Sequence, residues 1–500
     1  MHHRAKACSG SERWLPPTRR AVLAVLLAAG RGAIAWTAAA ADPPNSAAPL
    51  RLVKVETWAP AASAAAKCST LEGGEVIIDG NGTHTCCGGW QFVFTGIEGG
   101  RAYRLRTRVE HRDLGNARDS LVAMVLWGIW APDAADSRHT PWNYLLPRPV
   151  AADTMDFECV ARAPEGATAL TVRYTLRWSD HGSSRWAAPQ IEPVSLPERK
   201  PVKVCIVNAP RKVKEHVKIE PLSAGLGLAD DVAQSIDLWG SLILAACQRK
   251  PQLVVTPEVV IGGKDRLQGA LEVPGPGTGP FEKIAREHQV HLVLGMRERR
   301  GDAFYNSAVL IGPEGVVGVY RKVHLATSEG LSGLSVGDSF PVFDTPIGRI
   351  GSMICMDTTV EESARLLALH GAEFICFPIM GDLRASRWSP GPPSFDEDIW
   401  KAIMRTRAID NQVCMAIARN AVKGSCIINR KGDILAWNDG DQEIIEATVP
   451  LEDGYRVWNG GDFREVTFQL RRPHLYGAFT DEANFGPLSA RKTPGKASSR

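Results

Sequence analysis

Three residues of types that can carry covalent chemistry each close an apolar run. Cys355 ends the run that starts at Gly348, Glu258 closes Leu253-Val-Val-Thr-Pro-Glu, and Lys322 follows residues 316–321. The carboxyl ends of strands in an α/β sheet meet at one edge, where ligands bind. A cysteine nucleophile needs a base for its proton and a positive charge for the developing oxyanion. By spacing alone, this reading and its alternative, a structural ion pair beside a buried cysteine, are equally open.

The segment after Cys355 favours a helix over 360–370. Val360, Ala364 and Leu367 recur at helical spacing, and Thr358 or Thr359 precedes a glutamate by three residues, as in a capping box. We therefore expect the thiol to lie in the field of a helix N-terminus, which favours the thiolate.

Histidine is the usual base for a cysteine nucleophile, and two histidines are candidates. His370 ends the predicted helix, and His324 lies inside Lys-Val-His-Leu, where satisfied packing explains it at least as well. Neither is a compelling base, so Glu258 and Lys322 are the better partners for Cys355.

Length and composition indicate a globular protein of at least two domains. The chain has 500 residues, above the size at which one core usually splits, with 44% apolar and 23% charged residues. A net charge of +3 is too small to suggest nucleic-acid binding. No stretch has the length and apolarity of a mature membrane span.

Residues 1–41 are expected to be an export signal. Arg19-Arg20 precedes the apolar run Ala21 to Ala29, and small residues at 38–41 end the segment, an order that resembles a twin-arginine signal. Gly30-Arg-Gly interrupts the run well short of a membrane anchor, the alternative reading. We therefore expect a periplasmic or extracellular protein.

The eleven cysteines do not form a disulfide scaffold. One or two bridges are expected in an oxidising compartment among the cysteines with polar surroundings. Five others lie in apolar runs and are expected in the core: Cys205, Cys247, Cys376, Cys414 and Cys426. The four candidates for bridges are Cys68, Cys86, Cys87 and Cys159.

Residues 50–196 are expected to form an all-β jelly roll or β-sandwich. Strand-length apolar or alternating runs at 88–94, 103–109, 121–127 and 169–178 are separated by turn residues. The region loosely resembles the galactose-binding-like modules of exported hydrolases. Its aromatic residues either stack on a carbohydrate or pack the sandwich; those expected to be exposed are Trp130, Trp142 and Tyr144.

After a linker at 195–201, strand and helix patterns alternate, which predicts an α/β domain over 200–478. The segment 479–500 is expected to be a flexible tail because its end lacks apolar periodicity. The predicted strands are 202–207, 252–256, 290–294, 308–311, 316–320, 350–355, 373–377, 413–418 and 425–429, and the predicted helices are 229–248, 280–288, 360–370 and 398–411.

Three ordered motifs resemble the signatures of the nitrilase, or carbon–nitrogen hydrolase, superfamily. They are Thr-Pro-Glu258, Tyr-Arg-Lys322-Val-His-Leu and Gly-Ser-Met-Ile-Cys355-Met-Asp, and further matches include Tyr305-Asn306-Ser307. The resemblance covers about 202–477. It implies a four-layer α-β-β-α sandwich in which Glu258 is the general base, Lys322 the electrostatic stabiliser and Cys355 the nucleophile of a thioester acyl-enzyme.

The resemblance also implies residues that orient the substrate. Glu329 is the carboxylate best placed for the second glutamate of many members, although a solvated loop charge is the alternative. Met356 is expected to donate its backbone N–H to the oxyanion, and Met380 to line the pocket. Arg384 or Arg387 either binds an acidic substrate or lies at the surface.

The residues beside Cys355 favour an amide as substrate. Nitrile-hydrolysing members usually have Trp-Glu after the cysteine and N-carbamoyl amino-acid hydrolases often Asn-Asp, whereas this chain has Met356-Asp357. We expect an exported amidase without cofactor or metal, acting as a homo-oligomer by resemblance. Alternatives are an N-carbamoyl or nitrile hydrolase, an acyltransferase, or a glycan- or partner-binding protein on an inactive hydrolase scaffold.

Overall fold

A computed structural model describes residues 49–128, 140–196, 198–208, 220–380, 395–420, 423–440, 442–451 and 455–481. The contacts divide the chain into two units, one formed by residues 1–196 and 456–500 and the other by 197–455. The predicted export signal and residues 482–500 of the predicted tail lie outside the described residues. The segment from Arg456 belongs by its contacts to the first unit, whereas the sequence placed it in the α/β domain as far as residue 478.

The described helices are mostly short and lie mainly in the second unit. They are α1 (Ala117–Ser120), α2 (Asp230–Cys247), α3 (Gly279–His288), α4 (Thr327–Gly330), α5 (Glu362–Leu369), α6 (Glu397–Asn411) and α7 (Phe463–Gln469). No helix in the described ranges has the length and apolarity needed to cross a membrane.

The first unit is built on antiparallel strands in the order β1-β4-β9-β6-β7-β8-β5-β10-β3-β2, with β11 paired to β5. Strand β7 pairs with β6 through its first half and with β8 through its second, so it joins two sheets. The strands are β1 (Arg51–Trp58), β2 (Lys67–Thr70), β3 (Val76–Asp79), β4 (Cys87–Thr95), β5 (Ala102–Arg112), β6 (Leu121–Gly128), β7 (Trp142–Ala151), β8 (Thr154–Arg162), β9 (Ala169–Arg177), β10 (Ser183–Trp186) and β11 (Gln190–Val194).

The core of this unit is rich in aromatic residues. Tyr174 and Trp186 stack with ring centroids 4.5 Å apart, and both are fully buried. Packing inside the first unit, which was the alternative to carbohydrate stacking, therefore accounts for these two rings.

The chain's own C-terminal segment covers two of the aromatic residues that were predicted to be exposed. The indole of Trp142 donates to the carbonyl of Asn459 at 2.9 Å and packs on Gly461, where a Cβ would lie 2.4 Å from the ring. Tyr144 is only 8% exposed. The prediction that these two residues are exposed is therefore wrong, since Trp142 is partly buried and Tyr144 is buried; Trp130 lies outside the described residues.

The expected disulfides are absent among the described cysteines, since Cys68, Cys86, Cys87 and Cys159 are all free. Cys159 lies on β8, four strands from the β2 strand of Cys68 in the sheet order, which at about 4.8 Å per strand is too far for a bridge. The thiol of Cys68 donates instead to the carbonyl of Gly89 at 3.6 Å.

The second unit contains two six-stranded sheets, ordered β16-β15-β14-β13-β12-β23 and β17-β18-β19-β20-β21-β22. The first is formed by β12 (Val202–Val207), β13 (Leu253–Val255), β14 (His291–Arg300), β15 (Ala303–Gly312), β16 (Gly315–Arg321) and β23 (Ile444–Val449). The second is formed by β17 (Val342–Thr345), β18 (Gly348–Ser352), β19 (Phe374–Ile379), β20 (Cys414–Arg419), β21 (Cys426–Ile428) and β22 (Ile434–Trp437).

The layers follow from which side chains each sheet buries. One cluster packs α2 and α3 on the first sheet through Ile243, Phe281 and Leu292. A second cluster, which includes Ile206 and Phe374, lies between the two sheets. With α5 and α6 beside the second sheet, the predicted α-β-β-α order is present, and central strands such as β19 are apolar and buried throughout because both of their faces are covered.

Candidate active site

Glu258 lies just beyond β13, in a segment held against β14. A Cβ added at Gly295 would stand 2.2 Å from the carbonyl oxygen of Pro257, so only glycine permits this close approach. Val259 has a φ of 51°, in the left-handed region that β-branched residues rarely adopt. The segment thus places the carboxyl group of Glu258, which is 3% exposed, inside the protein.

Lys322 follows β16 and meets both predicted glutamates. Its ammonium group donates to Oε1 of Glu258 and to Oε2 of Glu329, each at 2.8 Å. Its backbone N–H donates to the carbonyl of Asn306 on β15 at 2.9 Å, and this bond fixes the position of the backbone from which the lysine side chain extends. The lysine is 1% exposed, so the structure brings three of the sequence-predicted residues together in a buried cluster.

Glu329 is held by the short helix α4. Its Oε2 accepts the backbone N–H of Ala326 at 2.8 Å, and its side chain is 13% exposed. The amide nitrogen of Asn306 donates both to Oε1 of Glu329, at 2.7 Å, and to Oε1 of Glu258, at 2.8 Å. The alternative reading of Glu329 as a solvated loop charge is therefore excluded.

The cluster keeps its groups charged. Burial lowers the pKa of Lys322, but the charges of Glu258, Cys355 and Glu329 outweigh it and hold that pKa above its ordinary value. Burial raises the pKa of Glu329, but the charge of Lys322 and the hydrogen bonds from Lys322, Asn306 and Ala326 hold it below its ordinary value. At neutral pH the lysine is therefore an ammonium and Glu329 a carboxylate.

A count of acceptor positions shows what each glutamate still offers. A carboxylate has about four lone-pair sites. In Glu258 both sites of Oε1 are taken by Lys322 and Asn306, and Oε2 accepts the backbone N–H of Met380 at 2.9 Å. In Glu329 Oε2 is filled by Lys322 and Ala326, while among the described residues Oε1 accepts only Asn306. With respect to this part of the chain, each glutamate therefore retains one acceptor position, on Oε2 of Glu258 and on Oε1 of Glu329.

Cys355 lies on a turn and not at the end of a helix. Strand β18 ends at Ser352, a 3-10 turn covers Cys355–Thr359, and α5 begins only at Glu362. The predicted capping box is wrong, because α5 has no side-chain cap. Cys355 has a φ of 45°, which interrupts helical geometry and presents the half-buried thiol on the turn. The prediction that the thiol lies at a helix N-terminus is therefore wrong. The nearby positive charge that favours the thiolate is that of Lys322.

Asp357, two residues after Cys355, fixes this turn. Its carboxylate accepts the backbone N–H of Ile354 at 2.7 Å, the hydroxyl of Tyr320 at 2.6 Å and the backbone N–H of His324 at 3.0 Å. The Nδ1 atom of His324 lies 2.8 Å from the same carboxylate. Because Asp357 is fully buried and occupied by these partners, it acts on the position of Cys355 and has no surface to contact a substrate.

The remaining predicted residues have less direct roles. Met380 contacts Glu258 through its backbone N–H, while the residue is 55% exposed; Met356 is half-buried on the Cys355 turn. Arg384 and Arg387 lie outside the described residues. His370 meets the carbonyl of Phe340 at 2.9 Å. In the described ranges there is no group of three or more His, Cys, Asp or Glu residues suited to a metal ion.

The sequence interpretation assigned no role to Asn306, Gly295 or Tyr320. Asn306 belongs to the motif Tyr305-Asn306-Ser307 and precedes the apolar run of β15. A polar residue that is buried there must find a hydrogen-bond partner. This requirement is the sequence signal that identifies Asn306 as a candidate. The need for glycine at 295 depends on the approach of a segment some 40 residues away in sequence, which no local pattern reveals.

Comparisons with known proteins find relatives of this chain among carbon-nitrogen hydrolases. The family described as carbon-nitrogen hydrolase matches residues 222–457. The chain is 41% identical over 254 residues to a nitrilase of Pyrococcus abyssi, covering 47% of this chain and 90% of that protein. It is 30% identical over 234 residues to the omega-amidase NIT2 of Homo sapiens, covering 42% and 81%. A solved carbon-nitrogen hydrolase from Helicobacter pylori G27 aligns with a TM-score of 0.44 at 20% identity over 56% of this chain and 99% of that one.

Proposed function

The chain belongs to the carbon–nitrogen hydrolase family and is an enzyme of that class, and from this premise we propose that it is an amidase. It would convert a carboxamide into an acid and ammonia or an amine through a thioester on Cys355. The observation that carries the proposal is the buried cluster in which Lys322 bonds Glu258 and Glu329 at 2.8 Å, near enough to Cys355 for the thiol's charge to affect the lysine.

In the first half of the reaction Glu258 takes the proton of the Cys355 thiol through its available Oε2 position. The thiolate attacks the carbonyl carbon, and the carbonyl π electrons move onto oxygen. Lys322 and the backbone N–H of Met356 stabilise this oxyanion. Glu258 returns the proton to the amide nitrogen, the C–N bond breaks, and ammonia or an amine leaves the thioester behind.

The second half regenerates the enzyme. Glu258 removes a proton from a water molecule, which attacks the thioester carbon, and the oxyanion forms again. The C–S bond breaks, the acid leaves, and the thiolate of Cys355 recovers its proton from Glu258. Lys322 remains an ammonium throughout, because the charges of Glu258, Cys355 and Glu329 hold its pKa above its ordinary value.

The open acceptor position on Glu329 favours an amide over a nitrile. A carboxamide N–H group can donate to Oε1 of Glu329, whereas a nitrile has no N–H group and would leave that buried carboxylate position without a donor. Nitrile hydrolysis is the second candidate, because the 41% identical relative is called a nitrilase.

The test measures ammonia release from matched series of primary amides, N-methyl amides, ureido acids and nitriles. Primary amides should react fastest, and Cys355→Ala should abolish turnover. Cys68→Ala, at a similarly half-buried cysteine in the first unit, is the control and should keep it. Faster turnover of nitriles would reverse the choice, and no turnover of any series by folded protein would favour the inactive-scaffold reading. Added amines with product analysis would detect acyl transfer.

We also propose that the protein is exported and forms a homo-oligomer. Export is supported by residues 1–41, and its test is the mature N-terminus of the protein recovered outside the cytoplasm, with Arg19 and Arg20 both changed to Lys as the matched block. A ligand for the first unit remains a proposal as well. It does not use Trp142, whose indole bonds the carbonyl of Asn459, or Tyr144, which is buried.

A further inference from the structure

Asn306 contacts three residues of the candidate site, and the proposed reaction gives it no role. Its single amide nitrogen bonds Glu258 and Glu329 at 2.8 and 2.7 Å, and its backbone carbonyl accepts the N–H of Lys322. It thus touches the general base, the second glutamate and the cation of the proposed reaction. The residue is 1% exposed, so water does not compete for these bonds.

Local stability does not account for this asparagine. Its Oδ1 is buried and has no hydrogen-bond partner among the residues that the structure describes, an arrangement that costs stability. The same amide nitrogen satisfies two carboxylates with charge-assisted bonds, which are the stronger kind. Two bonds from one amide nitrogen to two acids of the candidate site point to a function at those acids.

The bond to Glu258 also decides which oxygen of the base is available. With Lys322 and Asn306 on Oε1, that oxygen has no free lone pair, and as far as the described residues go only Oε2 retains one beside the N–H of Met380. Without the Asn306 bond, Oε1 would regain an acceptor position on the side of Lys322. The carboxyl group could then hold its proton there, away from the thiol.

We propose that Asn306 is a positioning residue that clamps Glu258 and Glu329 with one amide group and directs proton transfer to Oε2 of Glu258. This inference rests on the proposed function, since it assumes that Glu258 is the base for Cys355. It assigns no contact with the substrate to Asn306. The expected consequence is that loss of the clamp favours the protonated form of both acids.

The decisive variant is Asn306→Leu, which keeps the branched shape of the side chain and removes the donor. We expect the acid limb of the pH profile of kcat/KM to move to higher pH by about one unit, since a lost hydrogen bond to a carboxylate has that order of effect. Asn306→Asp should move it further, because a third carboxylate adds like charge. Asn306→Ser, which keeps one donor, should shift it less and serves if the leucine variant folds poorly.

The matched control is Asn208→Leu. Asn208 lies in the same unit, is also 1% exposed and donates through Nδ2 to the carbonyl of Gln442 at 3.0 Å. Within the described part of the chain its Oδ1 likewise has no partner. Its substitution removes a comparable amide without touching the glutamates. It should leave the pH profile in place, whatever it does to the melting temperature.

A second readout separates this inference from the proposed function. The rate at which iodoacetamide alkylates Cys355, located by peptide mass, reports the thiol and its base without any turnover. A shifted alkylation profile in Asn306→Leu supports the clamp even if no amide is hydrolysed, in which case only the proposed function fails. Active enzyme whose profiles are unchanged in Asn306→Leu, or equally changed in Asn208→Leu, overturns the inference.

Discussion

The hydroxyl of Tyr320 donates a hydrogen bond of 2.6 Å to the carboxylate of Asp357, and this bond joins the two sheets of the second unit. Tyr320 is on β16, two residues before Lys322, and Asp357 lies two residues after Cys355 on the loop that follows β18. The cation and the nucleophile are thus carried by different sheets and tied together through their sequence neighbours. Burial, followed by the charge of Asp357, raises the pKa of Tyr320, so its hydroxyl remains a donor.

Tyr320→Phe should therefore lower both stability and activity. Asp357 would keep its other donors, but the backbone N–H of Val323, which meets the hydroxyl at 3.3 Å, would lose its acceptor. We expect the free energy of unfolding to fall by about 1–3 kcal/mol and kcat/KM to fall several-fold. Urea unfolding and amide hydrolysis measure the two effects.

The control for this change is Tyr174→Phe. Tyr174 is also fully buried and donates to the carbonyl of Ala187 at 3.2 Å, but it lies in the first unit. It should cost stability without lowering kcat/KM. Full activity of Tyr320→Phe would contradict the view that this bond sets the distance between Lys322 and Cys355.

Much of the second unit was predictable because its strands have both faces covered. The local sequence alone predicts β12, β13 and β19 from their apolar runs and α6 from its helical periodicity. The identity of Glu258, Lys322 and Cys355 as a set came from three ordered motifs. Their bonding through Asn306 did not, because it depends on the register of β15 beside β16 and on the position of α4.

The turn at Cys355 was predicted incorrectly for a physical reason. The apolar periodicity of 360–370 correctly indicates a helix, but the buried carboxylate of Asp357 captures the N–H of Ile354 and starts a 3-10 turn first. A tertiary contact with Tyr320 and His324 holds that carboxylate, so no helix-capping rule could anticipate it. Likewise, the boundary near residue 456 depends on long-range contacts with β7.

The backbone at Cys355 gives a prediction about strain. A residue with a side chain at a φ of 45° is disfavoured by about 1 kcal/mol, whereas glycine is not. Cys355→Gly should therefore be at least as stable as Cys355→Ala. At Cys376, buried within β19, the order should reverse, with the glycine variant about 0.5–1 kcal/mol less stable than the alanine variant. Thermal unfolding of the four variants tests the contrast, and the same order at both positions would refute it.

Gly295→Ala should disable the site through the base. The added Cβ would meet the carbonyl oxygen of Pro257 at 2.2 Å and the Cα of Glu258 at 3.1 Å, and both are backbone atoms that cannot turn aside. We expect a loss of at least tenfold in kcat/KM, with a destabilisation of about 1–3 kcal/mol for overpacking. Amide hydrolysis per folded molecule is the measurement.

Gly279→Ala is the matched control for that substitution, because a Cβ at the start of α3 meets nothing within 4 Å. It should retain activity and gain slight stability from the smaller entropy of its unfolded chain. Equal activity in the two alanine variants would show that the Glu258 segment can move without consequence.

The packing of the C-terminal segment on β7, within the first unit, should become less stable as the pH rises. Glu465 on α7 accepts the side-chain amide of Asn143 at 3.0 Å and the backbone N–H of Tyr144 at 2.8 Å. Burial first, and then the charge of Asp462, raises the pKa of Glu465 from 4.5 to about 7, despite the opposing effects of these donors and of Arg456. Because the folded state holds the proton more tightly, stability is fully present below pH 4.5 and is lost as the pH rises through about 7.

Glu465→Gln removes this titration, so its stability should be nearly independent of pH between about 5 and 7. The parent should lose at most about 3 kcal/mol over the range from 4.5 to 7. Amide hydrogen exchange at Tyr144 and along α7, corrected for the intrinsic pH dependence of exchange, measures it. Glu192→Gln, at a side chain 41% exposed in the same unit, is the control and should retain the parent's slope. If Glu465→Gln retained that slope as well, Glu465 would not be the group that weakens the segment.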